Sequence, residues 1–168
     1  MKSKTAKKII ILTVVTMLSL FTIANTQAAP GDLDPTFGVD GKVISIDFVG
    51  NAIALQSDGK IVAAGVVFPP TGAFVFSVTR YNTDGSLDVG FGSGGRVITP
   101  IGNLGYPFAT AVAIQADGKI IVGGSNDLYG DSTHNFLLAR YHTDGSLDST
   151  FGVGGKVVTP FNVNGEAG

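Results

Sequence analysis

One stretch of about twenty residues occurs twice in this chain. Arg80–Pro100 reads RYNTDGSLDVGFGSGGRVITP and Arg140–Pro160 reads RYHTDGSLDSTFGVGGKVVTP, identical at 15 of 21 aligned positions with an offset of 60. A partial third copy, LDPTFGVDGKVI at Leu33–Ile44, lies 54 residues before its counterpart. Self-similarity at this period marks a repeat architecture, in which one supersecondary unit cannot bury its apolar surface alone and stacks on its neighbours. That constraint comes before any other.

The local pattern is that of short strands. Each L-D-x-x-F-G-x-x-G module runs into a β-branched segment, at Lys42–Ile46, Arg96–Thr99 and Lys156–Thr159. Such residues suit a pleated surface, and the flanking glycines mark its limits. AIALQSDGKIVAAG (Ala52–Gly65) then matches AVAIQADGKIIVGG (Ala111–Gly124). In each, two apolar runs flank an Asp-Gly pair, which predicts a β-hairpin closed by a two-residue type I′ turn at Asp58-Gly59 and Asp117-Gly118. Both parities of these runs are apolar, which predicts burial on both faces. A further strand is expected at Phe74–Tyr81 and at Asn135–Tyr141, after connections of unequal length that surface loops tolerate. Four short strands in about 55–60 residues correspond to one blade of a β-propeller.

The sequence "LQSDGKIVAAG" followed by "RYNTDGSLDVGFGSGG" resembles the delta-60 repeat family of bacterial exported proteins. The resemblance covers nearly all of the chain after residue 28 and implies propeller blades in an extracytoplasmic setting. It brings no catalytic residues with it. The expected fold is therefore all-β, with blades of four-stranded antiparallel sheet. Two full repeats (about 33–92 and 93–152) and a truncated third (153–168) make an incomplete propeller, because a ring needs about four blades or more.

Residues 1–28 read as a signal peptide. Lys2, Lys4, Lys7 and Lys8 precede the mostly apolar run Ile9–Leu20, and Thr26-Gln27-Ala28 offers small residues before a cut. The apolar run is short for a membrane span of ~20 residues, so no span is expected after cleavage and the mature chain is expected to be secreted or periplasmic. Cleavage leaves seven basic residues against 13 acidic ones, a net charge of about −6. No basic stripe survives to neutralise phosphates, which argues against a nucleic-acid partner. With no cysteine, disulfides and thiolate metal sites are ruled out.

The candidate sites lie in the repeated turns. Asn82, Asp84 and Asp88 place oxygen-bearing side chains at alternate positions, as do Asp144 and Asp148 in the second copy, and calcium loops use such spacing. The series lacks the bidentate Glu of a calcium loop, and His142 stands where the first copy has Asn82. The favoured reading is an Asp-Gly turn whose carboxylates bond nearby backbone N–H groups; calcium is the alternative, and no other cofactor is expected. Phe37, Phe91 and Phe151 follow the repeat and are read as fillers between blades. Arg80 and Arg140 are positioned to pair with Asp88 and Asp148. No catalytic residue is assigned, since neither a triad nor a repeated nucleophile is present.

The functional reading is an exported binding or scaffold protein, a fragment of a larger propeller, whose partner is an extracellular ligand or protein. Uncapped blade faces add self-association to that expectation. The alternative is a lactonase- or glycosidase-like hydrolase completed by blades absent here, because fold alone does not decide function. The loop Ser125–His134 breaks the repeat with Asp127, Asp131 and His134, the unrepeated acids and histidine such an enzyme would use. N-terminal sequencing of exported protein is expected to begin at Ala29; a retained Met1 in a membrane fraction would refute the signal-peptide reading.

Overall fold

The structure, a computed structural model, describes residues 29–68, 74–101, 106–127 and 133–162. The chain divides into Met1–Asp32 and Leu33–Gly168. The proposed signal peptide lies outside the described residues, and of the first unit only a turn at 29–32 is described.

The second unit is all-β. Its strands are β1 (Phe48–Leu55), β2 (Ile61–Val67), β3 (Val75–Tyr81), β4 (Arg96–Thr99), β5 (Tyr106–Ile114), β6 (Ile120–Asp127), β7 (Thr133–Tyr141) and β8 (Lys156–Asn162). They form two four-stranded antiparallel sheets in sequential order, β1-β2-β3-β4 and β5-β6-β7-β8. These are two blades. Among the described residues there is no helix.

Each blade crosses the boundaries of the sequence repeat. The outer strand β4 lies beyond the module of Leu87–Gly95, and β8 beyond that of Leu147–Gly155. The first module is also followed by a β-branched segment, Lys42–Ile46, but this expected strand does not form; Lys42 makes only isolated bridges with Gly38 and Val39. The reason is pairing. β4 and β8 each dock on three strands that precede them in the chain, and among the described residues no such trio precedes Lys42.

The Asp-Gly turns also differ from expectation. Gln56 N donates to Lys60 O, Gly59 N donates to Gln56 O at 2.9 Å, and Leu55 pairs with Ile61. Only Gly59, not Asp58, has positive φ (84°), which excludes type I′. A three-residue loop with glycine in the left-handed position relieves the strand twist equally well. Asp58 Oδ1 accepts from Lys60 N, tightening the turn. Gln115–Lys119 and Asn82–Ser86 repeat the same bonds.

A bulge follows the same logic of close approach. The β1–β2 register slips between Gly50 and Ala52, and β5–β6 slips between Ala109 and Ala111. A side chain on Gly65 or Gly124 would drive its Cβ into the carbonyl of Val49 or Phe108. Glycine therefore lets the bulged strand bend onto its neighbour.

Two-sided burial holds for the middle strands only. β2 and β3 are buried at almost every position, whereas Ile53 and Leu55 on β1 are 75% and 70% exposed. Ile53 and Leu55 lie on the side of blade one that no other blade covers, whereas their counterparts on β5, Val112 and Ile114, pack against the core. The core lies between the blades: Val62, Ala64, Phe76 and Val78 of the first sheet meet Ile120, Val122, Leu137, Ala139 and Tyr141 of the second.

Gly59→Val and Gly118→Val are each expected to destabilise by more than ~1 kcal/mol, because a β-branched residue is forced to positive φ. The added Cβ also meets Thr83 Cγ2 at 2.8 Å or Thr143 Cγ2 at 3.0 Å. Denaturant melts of both variants measure the loss.

Candidate functional site

The sequence-predicted polar residues fall into two kinds of place. Asp84 and Asp144 serve turns. Asp84 Oδ1 accepts from Ser86 N at 2.9 Å and Ser86 Oγ at 2.6 Å, and Asp144 makes the same pair of bonds to Ser146. Both carboxyls are held below the usual range, chiefly by the serine hydroxyl and then by its backbone N–H. Asn82 Nδ2 donates to Ser86 Oγ at 2.9 Å.

Asp88 and Asp148 are instead the anions of buried ion clusters. Asp88 Oδ2 accepts from Lys60 Nζ at 2.8 Å and Arg80 Nε at 2.7 Å, and Oδ1 from Gly90 N. Asp148, fully buried, accepts on Oδ1 from Thr150 N and Oγ1. Its Oδ2 forms ion pairs with Lys119 Nζ at 3.0 Å and Arg140 Nε at 2.9 Å, neither in hydrogen-bond alignment. His142 Nε2 stands 3.8 Å from Oδ1. The bond from Lys60 first, then that from Arg80, lowers the Asp88 carboxyl against the opposing effect of burial. For Asp148 the Thr150 hydroxyl and Lys119 hold it far below the usual range.

The five calcium candidates are thus not brought to one point: Asp84 and Asp144 face their own turns, Asp88 and Asp148 face cations. Among the described residues no group of three His, Cys, Asp or Glu could hold a metal ion. Of the repeat-breaking loop, Asp131 lies outside the described residues, while the β6–β7 register sets Asp127 opposite His134 along the backbone.

The arginines also carry the aromatics. Arg80 lies over the Phe91 ring at 4.5 Å and Arg140 over Phe151 at 4.6 Å, a cation–π arrangement within each blade. Arg80 Nη1 reaches further, donating to Thr143 O of the next blade. Beside it, Gly92 N donates to Asp144 O at 2.8 Å. Gly145 has no room for a Cβ, which would meet Val97, Gly92 and Phe91. Deeper in the junction, Tyr141 O–H donates to Thr99 Oγ1 at 2.7 Å. Burial pushes the Tyr141 phenol up to about 12, against the Thr99 bond, so it remains a neutral donor.

Sequence reasoning located the ion pairs and the aromatic filler and expected uncapped blade faces, but it did not name the residues that line the two faces this junction leaves open. Comparing equivalent residues shows them. Phe76, Thr99 and Phe91 are buried at the junction, whereas Phe136 is 51% exposed, Thr159 is exposed and Phe151 is half-buried. On the other side, Ile120 and Tyr141 are buried while Ile61 and Tyr81 are half-buried. One face of each blade is covered by the other blade, and the remaining faces carry the matching residues without that cover. An equivalence between residues 59 or 60 apart, applied to face parity, would have found them.

Residues 56–91 and 115–151 match the family described as a domain of unknown function (DUF5122), β-propeller. The matched family is of β-propeller type, in keeping with the two four-stranded sheets. Each matched segment runs from the hairpin turn through the second and third strands of a blade to the phenylalanine of the following module. No curated protein and no solved structure matches the chain.

The ion clusters set an acid limit on stability. Because the folded-state pKa values of Asp88 and Asp148 are depressed, their contribution is complete above the unfolded carboxylate value of ~4 and is lost as pH falls through the folded values. The melting temperature is expected to hold down to about pH 5 and to fall below about pH 4. Asp148→Asn should melt lower at neutral pH, with Lys119 and Arg140 left facing a neutral group, and should show a shallower acid decline. Calorimetry across pH measures both.

Proposed function

We propose that the chain is an exported repeat protein of the delta-60 kind with a binding or scaffold role, exercised through its two open blade faces. The observation supporting this is the residue equivalence at the junction. The exposed Phe136 and Thr159 repeat the buried Phe76 and Thr99, and half-buried Tyr81 repeats buried Tyr141. Surfaces of this composition are built to be covered. Contiguous apolar area of this kind marks an interaction site, and covering one such aromatic contributes about 1.5–3 kcal/mol. The basic, apolar and small-residue pattern of residues 1–28 supports delivery outside the cytoplasm, where an extracellular protein or ligand would meet these faces. Among the described residues no helix is long and apolar enough to cross a membrane.

Light scattering over a concentration series is the direct test. The purified mature chain is expected to associate, and Phe136→Asp or Ile53→Asp to weaken association at least about tenfold, equivalent to about 1.4 kcal/mol. Unchanged association in both variants, or turnover of a lactone or aryl-glycoside panel by the purified protein, would overturn this reading.

A further inference from the structure

The open face of blade one is not bare. The segment Leu33–Asp47 lies over part of it, and its docking repeats the internal junction. Gly38 N donates to Asp84 O at 2.7 Å, as Gly92 N does to Asp144 O. A Cβ on Gly85 would meet Gly38 N and Val43 Cγ2, as one on Gly145 would meet Gly92 N and Val97 Cγ2. Asp47 forks onto Arg96, at 2.6 and 3.1 Å, and fastens the far end of the segment. Behind it remains a pocket of about 320 Å³, lined by Phe37, Val43, Phe48, Ile53, Ile61 and Tyr81.

Among the described residues, the module stands in place with no blade behind it. At the internal junction that space holds Val62, Val78 and Phe76 of blade one. The counterparts of those residues on blade two are Ile121, Leu138 and Phe136, none of them fully buried. A second copy's blade two therefore has the face that fits the pocket. It also brings its own module, Leu147–Gly155, whose Gly152 N would require the Asp84 carbonyl that Gly38 already uses. Two modules cannot occupy one turn.

We infer that the open face of blade one receives blade two of a second copy, head to tail, and that Leu33–Ile46 is a built-in competitor for that site. This rests on the reading that the open faces are the binding surfaces. The contact is heterologous, so it propagates from copy to copy until the rotation closes. The competitor holds each chain back from assembly. When only a fraction of chains has the segment released, the apparent affinity falls by that fraction.

Opposed substitutions in the two modules test this. Phe37→Ser weakens the competitor, and Phe151→Ser weakens the incoming module. Sedimentation velocity on the full mature chain should show half-association at about tenfold lower concentration for Phe37→Ser and about tenfold higher for Phe151→Ser. A merely structural role for these aromatics would move both the same way, and that result, or no movement in either, overturns the competitor. Circular dichroism confirms folding; if Phe37→Ser does not fold, Val43→Ser, at a side chain already 39% exposed, takes its place with the same expected direction. Loss of association in Phe136→Asp with no response to Phe37→Ser or Val43→Ser rejects the competitor alone. Unchanged association in Phe136→Asp rejects the open-face reading beneath it. A chain that stays monomeric at every concentration in every variant rejects both.

Discussion

Blade-on-blade packing is the contact on which the rest of this structure depends. A four-stranded sheet of this size has two apolar faces and, among the described residues, no helix to cover either, so Phe76 and Val78 are dry because Ile120, Val122 and Leu137 lie against them. Everything polar at the junction follows from that approach. Once the sheets close, the Tyr141 hydroxyl is cut off from water and takes Thr99 as its acceptor, since a buried donor left unpaired costs more than a bond gains. Gly145 is then the residue tolerated where module and turn meet, because a side chain would collide with Gly92 and Phe91.

The ion clusters serve the same contact from its rim. Arg80 is held by Asp88, stacks on Phe91 and reaches the Thr143 carbonyl of the neighbouring blade. One side chain thus ties its own module to the next sheet. Arg140 has the same partners within blade two, in Asp148 and Phe151, but its Nη2 donates to Thr150 Oγ1 inside its own module. Two differences act together: blade one has Gly90 where blade two has Thr150 and so offers Arg80 no hydroxyl, and Arg80 has the Thr143 carbonyl of the other blade within reach. Local structure in a repeat is thus set by its own substitutions as well as by what stacks upon it.

The elements easiest to read from the residues were those whose cause is local. Asp-Gly between apolar runs marked both hairpins, and recurrence of Arg and Asp at fixed spacing marked the ion pairs that form. Turn type was less legible, because Asp-Gly suits both a two-residue loop and a three-residue loop with a left-handed glycine, and the choice depends on the Gln56–Lys60 pairing. Lys42–Ile46 misled for a different reason. Its composition is that of a strand, but strand formation needs a partner edge, and no residue within the segment records whether one is present. Burial of β1 misled likewise: Ile53 and Leu55 are as apolar as their counterparts Val112 and Ile114, which pack against the core, and only the absence of a covering blade on their side leaves them in water. Alternate oxygens marked the Asp-Gly turns whose carboxylates accept from backbone N–H groups, but they did not reveal that Lys60 and Lys119 approach Asp88 and Asp148.

The phase shift between repeat and blade has a genetic meaning. Because the outer strand of each sheet comes from beyond the next module, the near-identical stretches Arg80–Pro100 and Arg140–Pro160 lie across the seam between the third and fourth strands. Unequal crossing-over between their coding sequences would remove 60 residues and join β1–β3 directly to β8. The product would still contain a complete four-stranded blade. The reciprocal event would insert one intact blade, with every pairing preserved. Copy number in such a gene can therefore drift by whole blades, one recombination at a time, without passing through a sheet that lacks an edge.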